Sequence, residues 1–283
     1  MSEFATIHPY DPAFVRRYVA IVRGEAPAAG LLPGAPGWTE REIARAQRGY
    51  GRALRGEEAG ANIVSHELAR LLGATMPVYF VPGAGLTQLE ARFDRGIGMM
   101  LRPPSRLFAD AGLETVAARR MPIRLDASGG SMGGAVLPPN QVPQFRARLE
   151  GSLERLARRM AEAEMDAPAY VGLLLEAARF ADDHGLGLYE AADMVVPGVA
   201  ESEPPGMRLY QPDRKRLDKA LRQQLEEAAK PPKEPGLFAR LLGRGGKAPP
   251  PELALDDPRL WRGRNDVTPP PETPPPSRQE PAS

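Results

Sequence analysis

Residues 140–162 read NQVPQFRARLEGSLERLARRMAE, and Val142, Phe145, Leu149, Leu153, Leu156 and Met160 recur there at spacings of 3, 4, 4, 3 and 4. An α-helix turns once every ~3.6 residues, so these six apolar side chains form one stripe, and the spacing predicts a single helix roughly 24 residues long. Asn140 stands where an N-cap is needed. Arg146, Arg148, Glu150, Glu154, Arg155, Arg158, Arg159 and Glu162 fall on the other faces. A second helix is expected over 169–183, with Val171, Leu174, Leu175, Ala178 and Ala181 on one side and Gly185 as its stop. The turn between the two is short, which implies an antiparallel pair packed together or across a small sheet.

Upstream, Asp11-Pro12 supplies an N-cap and a proline at the first helical position, opening a helix through Val22. Thr39-Glu40-Arg41-Glu42 and Thr87-Gln88-Leu89-Glu90 both fit the capping box, so helices are expected to start at Thr39 and Thr87. Another is read over 63–72. Met76-Pro77-Val78-Tyr79-Phe80-Val81 is a β-rich apolar run stopped by Pro82-Gly83 and reads as a buried strand. From Ile97 to Leu137 glycine and proline break the pattern, which suits short strands, including 122–126 and 135–137. Residues 186–196 fit a short helix or a final strand equally. The fold class is α+β, a helix-rich single domain over 1–200 with a small sheet and two long C-terminal helices. A linker (201–210), a charged helix (211–229) and a proline-rich tail (231–283) follow.

Composition narrows the function classes. The chain has 283 residues, 37 Lys+Arg against 36 Asp+Glu, and no cysteine. Without cysteine there is no disulfide framework, thiolate metal site or Cys nucleophile. Near-zero net charge argues against a general nucleic-acid binder, whose phosphate contacts need a cationic excess. The N-terminus lacks a signal pattern and no apolar run approaches the ~20 residues that span a bilayer, so a cytoplasmic protein is expected. All lysines follow residue 210 while the earlier chain uses arginine only, a bias that fits a GC-rich bacterial genome.

One motif points to chemistry. Gly129-Gly130-Ser131-Met132-Gly133-Gly134 satisfies G-x-S-x-G, the nucleophile elbow of α/β hydrolases, in which glycines allow a tight strand-to-helix turn that projects the serine Oγ. Val78 to Gly85 resembles the strand and oxyanion loop of the same enzymes, with Pro82 in place of the usual histidine. A hydrolase built on Ser131 would draw on His184, the only later histidine, and on an acid such as Asp166. The context speaks against it. An elbow needs a helix directly after the serine, but Ala135-Val136-Leu137 reads as strand and Pro138-Pro139 as a breaker. His184 stands at a helix C-terminus, where a cation-capable side chain serves the helix dipole. As a phosphate cradle the glycines lack the Gly-Lys-Ser/Thr ending of a P-loop. No metal site emerges from His8, His66 and His184, and no cofactor is expected.

The tail offers a binding element instead. Residues 231–283 hold 14 of the 32 prolines, and such runs favour extended chain over a packed core, so the tail is expected to be disordered. In residues 211–229, Leu217, Leu221 and Leu225 form a narrow stripe that fits docking on the parent domain. Within 236–244, Leu237, Phe238, Leu241 and Leu242 would share one side of a short amphipathic helix, with Arg240 and Arg244 opposite. Trp261 lies in a second apolar-basic island. Such segments fold when a groove or an anionic membrane surface covers them. The expectation is therefore a protein that binds rather than catalyses, an adaptor, accessory or inhibitor-like protein with an unidentified protein partner and a possible peripheral membrane contact through 236–244. A serine hydrolase using Ser131 and a small-ligand domain are the alternatives.

Overall fold

Ala5–Tyr10 (β1) is buried at every residue and forms the middle of the sheet. The computed structural model describes residues 4–32, 34–118, 134–211 and 219–230. Among them five strands pair in the order β3-β4-β1-β2-β5, with β2 at Pro77–Phe80, β3 at Val136–Leu137, β4 at Gly187–Ala192 and β5 at Arg208–Tyr210. β1 runs antiparallel to β2 and β4, β3 antiparallel to β4, and β5 parallel to β2. The sheet is therefore small and mixed. β1 gives no alternating pattern because both its faces are covered. It also contains Pro9, a residue that argues against a central strand. The β1–β2 ladder stops at Ile7↔Tyr79, so the missing N–H of Pro9 falls past its end.

Adjacent residues of a strand face opposite sides, and each side of this sheet has its own core. One face carries α1 (Pro12–Val22), α2 (Pro36–Leu54), α3 (Glu58–Thr75), α5 (Pro104–Asp110) and α6 (Thr115–Ala118), packed with Tyr10, Val136, Tyr189 and Ala191. The other carries α4 (Leu86–Gln88), α7 (Val142–Glu150), α8 (Leu153–Glu162) and α9 (Ala167–Asp183), packed with Ile7, Tyr79, Leu137 and Leu188. The result is helix-rich α+β.

The apolar stripe of 142–160 is buried throughout, but it does not lie on one helix. Gly151 and Ser152 break the chain between α7 and α8, where glycine's low helix propensity coincides with a residue that favours caps. Other expectations are corrected too. Residues 95–118 form a 3₁₀ turn (Arg95–Met99), α5 and α6, not short strands; among the described residues of that group only Val136–Leu137 is a strand, and 122–126 lies outside them. Neither capping box acts as one. α2 opens at Pro36, and Thr39 Oγ1 donates to the Ala35 carbonyl. α4 opens at Leu86, and Thr87 Oγ1 donates to Glu190 of β4. The residues read as a linker include β5, and α10 (Lys219–Ala229) docks through Leu225, which is fully buried in the second core. Among the described residues no helix is long and apolar enough to cross a membrane.

Candidate functional site

Asp166 and His184, the acid and histidine read for a serine hydrolase, are not brought together. Ser131 lies outside the described residues. Asp166 accepts from Ala169 N–H at 3.2 Å as the N-cap of α9. His184 ends the same helix, its Nδ1 donating to the Phe180 carbonyl at 2.8 Å and its ring stacked on Phe180. Seventeen helical residues separate them, about 25 Å at ~1.5 Å per residue, so the acid and the histidine cannot meet in one site. Leu237, Phe238, Arg240, Leu241, Leu242, Arg244 and Trp261 also lie outside the described residues.

The loop read as an oxyanion cradle is used internally. Gly85 N–H donates to Tyr170 Oη at 3.2 Å, while that hydroxyl donates to the Gly85 carbonyl at 2.7 Å. Two residues on, Thr87 donates its N–H (3.0 Å) and its Oγ1 (2.8 Å) to the two carboxyl oxygens of Glu190. Glu190 is fully buried, and burial pushes its carboxyl up to about 7 against an ordinary value of 4.5, although the Thr87 bonds act in the opposite direction. The glycine at 85 is sterically required, because a Cβ there would stand 2.2 Å from Glu190 Oε1. This centre is closed on itself.

A second buried cluster joins α2 to α3. Arg45 Nη1 donates to both Glu42 Oε2 and Glu67 Oε1 at 3.2 Å, and Arg70 Nε stands 3.3 Å from Glu42 Oε2. Arg70 also donates to the Glu201 carbonyl and lies over the Trp38 ring. Burial and a hydrogen bond to Glu67 push Glu42 up to about 7. Two acids and two guanidiniums tie α2 to α3 here, and Glu67 Oε2 and Arg70 Nε lack a hydrogen-bond partner among the described residues. His8, held neutral by burial, bonds through Nε2 to Thr6 Oγ1 in the sheet. Among the described residues no group of three or more His, Asp or Glu side chains is arranged to hold a metal ion.

The cleft at the end of β1 is different. Asp11 caps α1 by accepting from Ala13 N–H at 2.8 Å, so the chain turns sharply after Tyr10 and sets the first turns of α1 beside the strand end. On the opposite wall Arg102 and Val136 exchange two backbone hydrogen bonds of 2.8 Å, which fixes α5 next to β3. Between them lies a cavity of about 150 Å³ lined by Tyr10, Val15, Arg16, Arg102, Leu107, Asp110 and Val136, with Pro12, Pro138 and Pro139 at its edge. Tyr10 is only 2% exposed. Its ring lies on the bare backbone of Gly187, its register partner, where a Cβ would meet the ring at 2.4 Å.

Tyr10 Oη has no hydrogen-bond partner among the described residues, although it lies in the fields of Arg102 and Asp110. Burial first, then Asp110, raises its pKa, with Arg102 opposing, so it remains a neutral O–H that can donate or accept. Arg16, Arg102 and Asp110 are exposed around it and form no ion pair among the described residues. The Tyr10 ring is buried, while its hydroxyl meets the open cavity in the fields of Arg102 and Asp110. Nothing in the sequence marks the set, which topology assembles from positions 10, 16, 102 and 110; the one local signal is Asp11-Pro12, which ends β1 at Tyr10. Comparison with protein-family models, with curated proteins and with solved structures found no match.

Proposed function

We propose that this protein is a cytoplasmic, non-enzymatic binding protein, acting as an adaptor, accessory or inhibitor-like component whose folded part engages a protein partner at the Tyr10 cleft. The observation that carries the reading is a cavity of about 150 Å³ that gathers Tyr10 with the exposed side chains of Arg16, Arg102 and Asp110. A hydroxyl beside two exposed guanidiniums is suited to a partner's polar group. The residues 236–244 supply a second contact.

The test is cross-linked capture of partners by three chains: wild type, Arg16→Ala/Arg102→Ala, and a truncation lacking 231–283. Each alteration is expected to lose the same partner. Capture unchanged by both would overturn the reading, as would a fluorophosphonate adduct that disappears in Ser131→Ala. Co-sedimentation with anionic vesicles that depends on 236–244 would assign the second contact to a membrane surface. The size of the cleft favours one further reading, a free small molecule as the ligand. That case would appear as a rise in Tm with a metabolite, because binding the native state alone stabilises it.

A further inference from the structure

The geometry points to a carboxylate on a short apolar stem as the group that enters the Tyr10 cleft. This rests on the reading of the cleft as a binding site and adds the chemistry of what it binds. Charge comes first. Two guanidiniums, Arg16 and Arg102, face one carboxylate, Asp110, which leaves the lining with a surplus of one positive charge. A monoanion cancels that surplus; a dianion exceeds it and would be repelled by Asp110. A cationic guest would meet the surplus directly.

Hydrogen bonding points the same way. Guanidiniums donate and never accept, and a planar carboxylate matches their forked geometry. The Tyr10 hydroxyl offers a further donor from the floor. The start of α1, an eleven-residue helix, lines the same cavity through Pro12, Val15 and Arg16 and adds the positive end of its dipole. Size sets the stem. A cavity of about 150 Å³ suits a carboxylate on a short aliphatic stem. Val15, Leu107, Val136 and the prolines supply an apolar wall for those carbons. The same chemistry is carried by a small free acid and by an acidic side chain of a polypeptide.

The experiment uses the full chain labelled with 3-fluorotyrosine, the Tyr10 resonance being assigned by its loss in Tyr10→Phe. At constant ionic strength it is titrated with propionate, with a doubly blocked Gly-Glu-Gly peptide, with the Gly-Gln-Gly peptide, and with sulfate. A saturable shift of the Tyr10 signal is expected with propionate or the Glu peptide, and whichever binds tighter identifies the source. The Gln peptide and sulfate are expected to bind at least tenfold more weakly. Arg102→Gln and, independently, Arg16→Gln should each weaken the carboxylate by about tenfold while leaving the other fluorine signals in place. Equal shifts from the Glu and Gln peptides would overturn the carboxylate and leave the cleft a binding site. Sulfate binding as tightly as propionate would overturn the monoanion. No saturable shift with any probe would overturn the inference outright, whereas the reading beneath it stands or falls separately on partner capture by the Arg16→Ala/Arg102→Ala chain.

Discussion

Glu190 and Tyr10 are buried polar side chains on opposite faces of one five-stranded sheet, and they are treated in opposite ways. Glu190 projects from β4 into the core beneath α4, where Thr87 gives it two hydrogen bonds and the bare backbone of Gly85 gives it room. Tyr10 ends β1 on the other face, supported by Gly187 and approached by no hydrogen-bonding group among the described residues. A carboxyl is the costlier group to bury, and it is the one the fold pairs, while the Tyr10 hydroxyl is left at the open cavity. The difference separates a polar group that holds the fold together from one that the fold holds ready. Where bonds close within the chain, the chemistry is spent on stability; where they stop short beside open space, a ligand is the natural partner.

The closed centre should resist intrusion. Gly85→Ala is expected to destabilise the protein by about 3 kcal/mol in urea unfolding, because Glu190, pinned by Thr87, cannot retreat from the new Cβ. The backbone there is extended (φ −164°), so an alanine suffers no conformational strain and the collision alone accounts for the loss. A cost below about 0.5 kcal/mol would show that Glu190 is mobile and the centre is not closed.

The second expected effect concerns pH. Glu190 titrates at about 7 in the folded chain and at 4.5 when unfolded, so between those values the folded state holds a proton that the unfolded state has lost. Stability from this group is thus fully present below about 4.5 and falls as pH rises to about 7, by at most ~1.4 kcal/mol per pH unit. Glu42, also raised to about 7, contributes a slope of the same sign. His8, lowered to about 3 from 6.5, contributes the opposite slope between those limits. Glu190→Gln removes only the first of these. Its unfolding free energy should therefore rise relative to wild type as pH goes from 5 to 7; parallel profiles would contradict the buried, protonated carboxyl.

The open site should be nearly indifferent to loss of its charges. Arg102→Gln keeps the backbone bridge to Val136 and removes a guanidinium with no ion pair among the described residues. Stability is expected to stay within about 0.5 kcal/mol of wild type while partner capture falls about tenfold. A large loss of stability would place Arg102 among the structural ion pairs, alongside those of Asp94 with Arg148 and Arg155.

Much of the architecture was legible in the sequence, and its failures have physical causes. The stripe from Val142 to Met160 marked the buried residues correctly because burial depends on period, and it missed the break because Gly151 and Ser152 act on the backbone and leave the stripe intact. Val78 to Phe80 and the cap at Asp11 were readable as local chemistry. β1 was not, since a strand covered on both faces shows no alternation and Pro9 disguises it further. Thr39 and Thr87 have the spacing of capping boxes, but Arg70 of α3 pairs with Glu42, and Glu190 of β4 takes the Thr87 hydroxyl. The cleft was the least legible part. Asp11-Pro12 announced a turn, but Tyr10, Arg102 and Asp110 become neighbours only through the pairing of β1 with β4 and of Arg102 with Val136.

The most direct test removes one hydroxyl from each place. Thr87→Val deletes the oxygen that bonds Glu190, and Tyr10→Phe deletes an oxygen with no hydrogen-bond partner among the described residues. Urea unfolding of the two variants beside wild type should show a loss of about 2 kcal/mol for Thr87→Val, and a change within about 0.5 kcal/mol, of either sign, for Tyr10→Phe. Equal losses would mean that the Tyr10 hydroxyl is as much a part of the fold as Thr87, and the cleft would lose its claim to be a site.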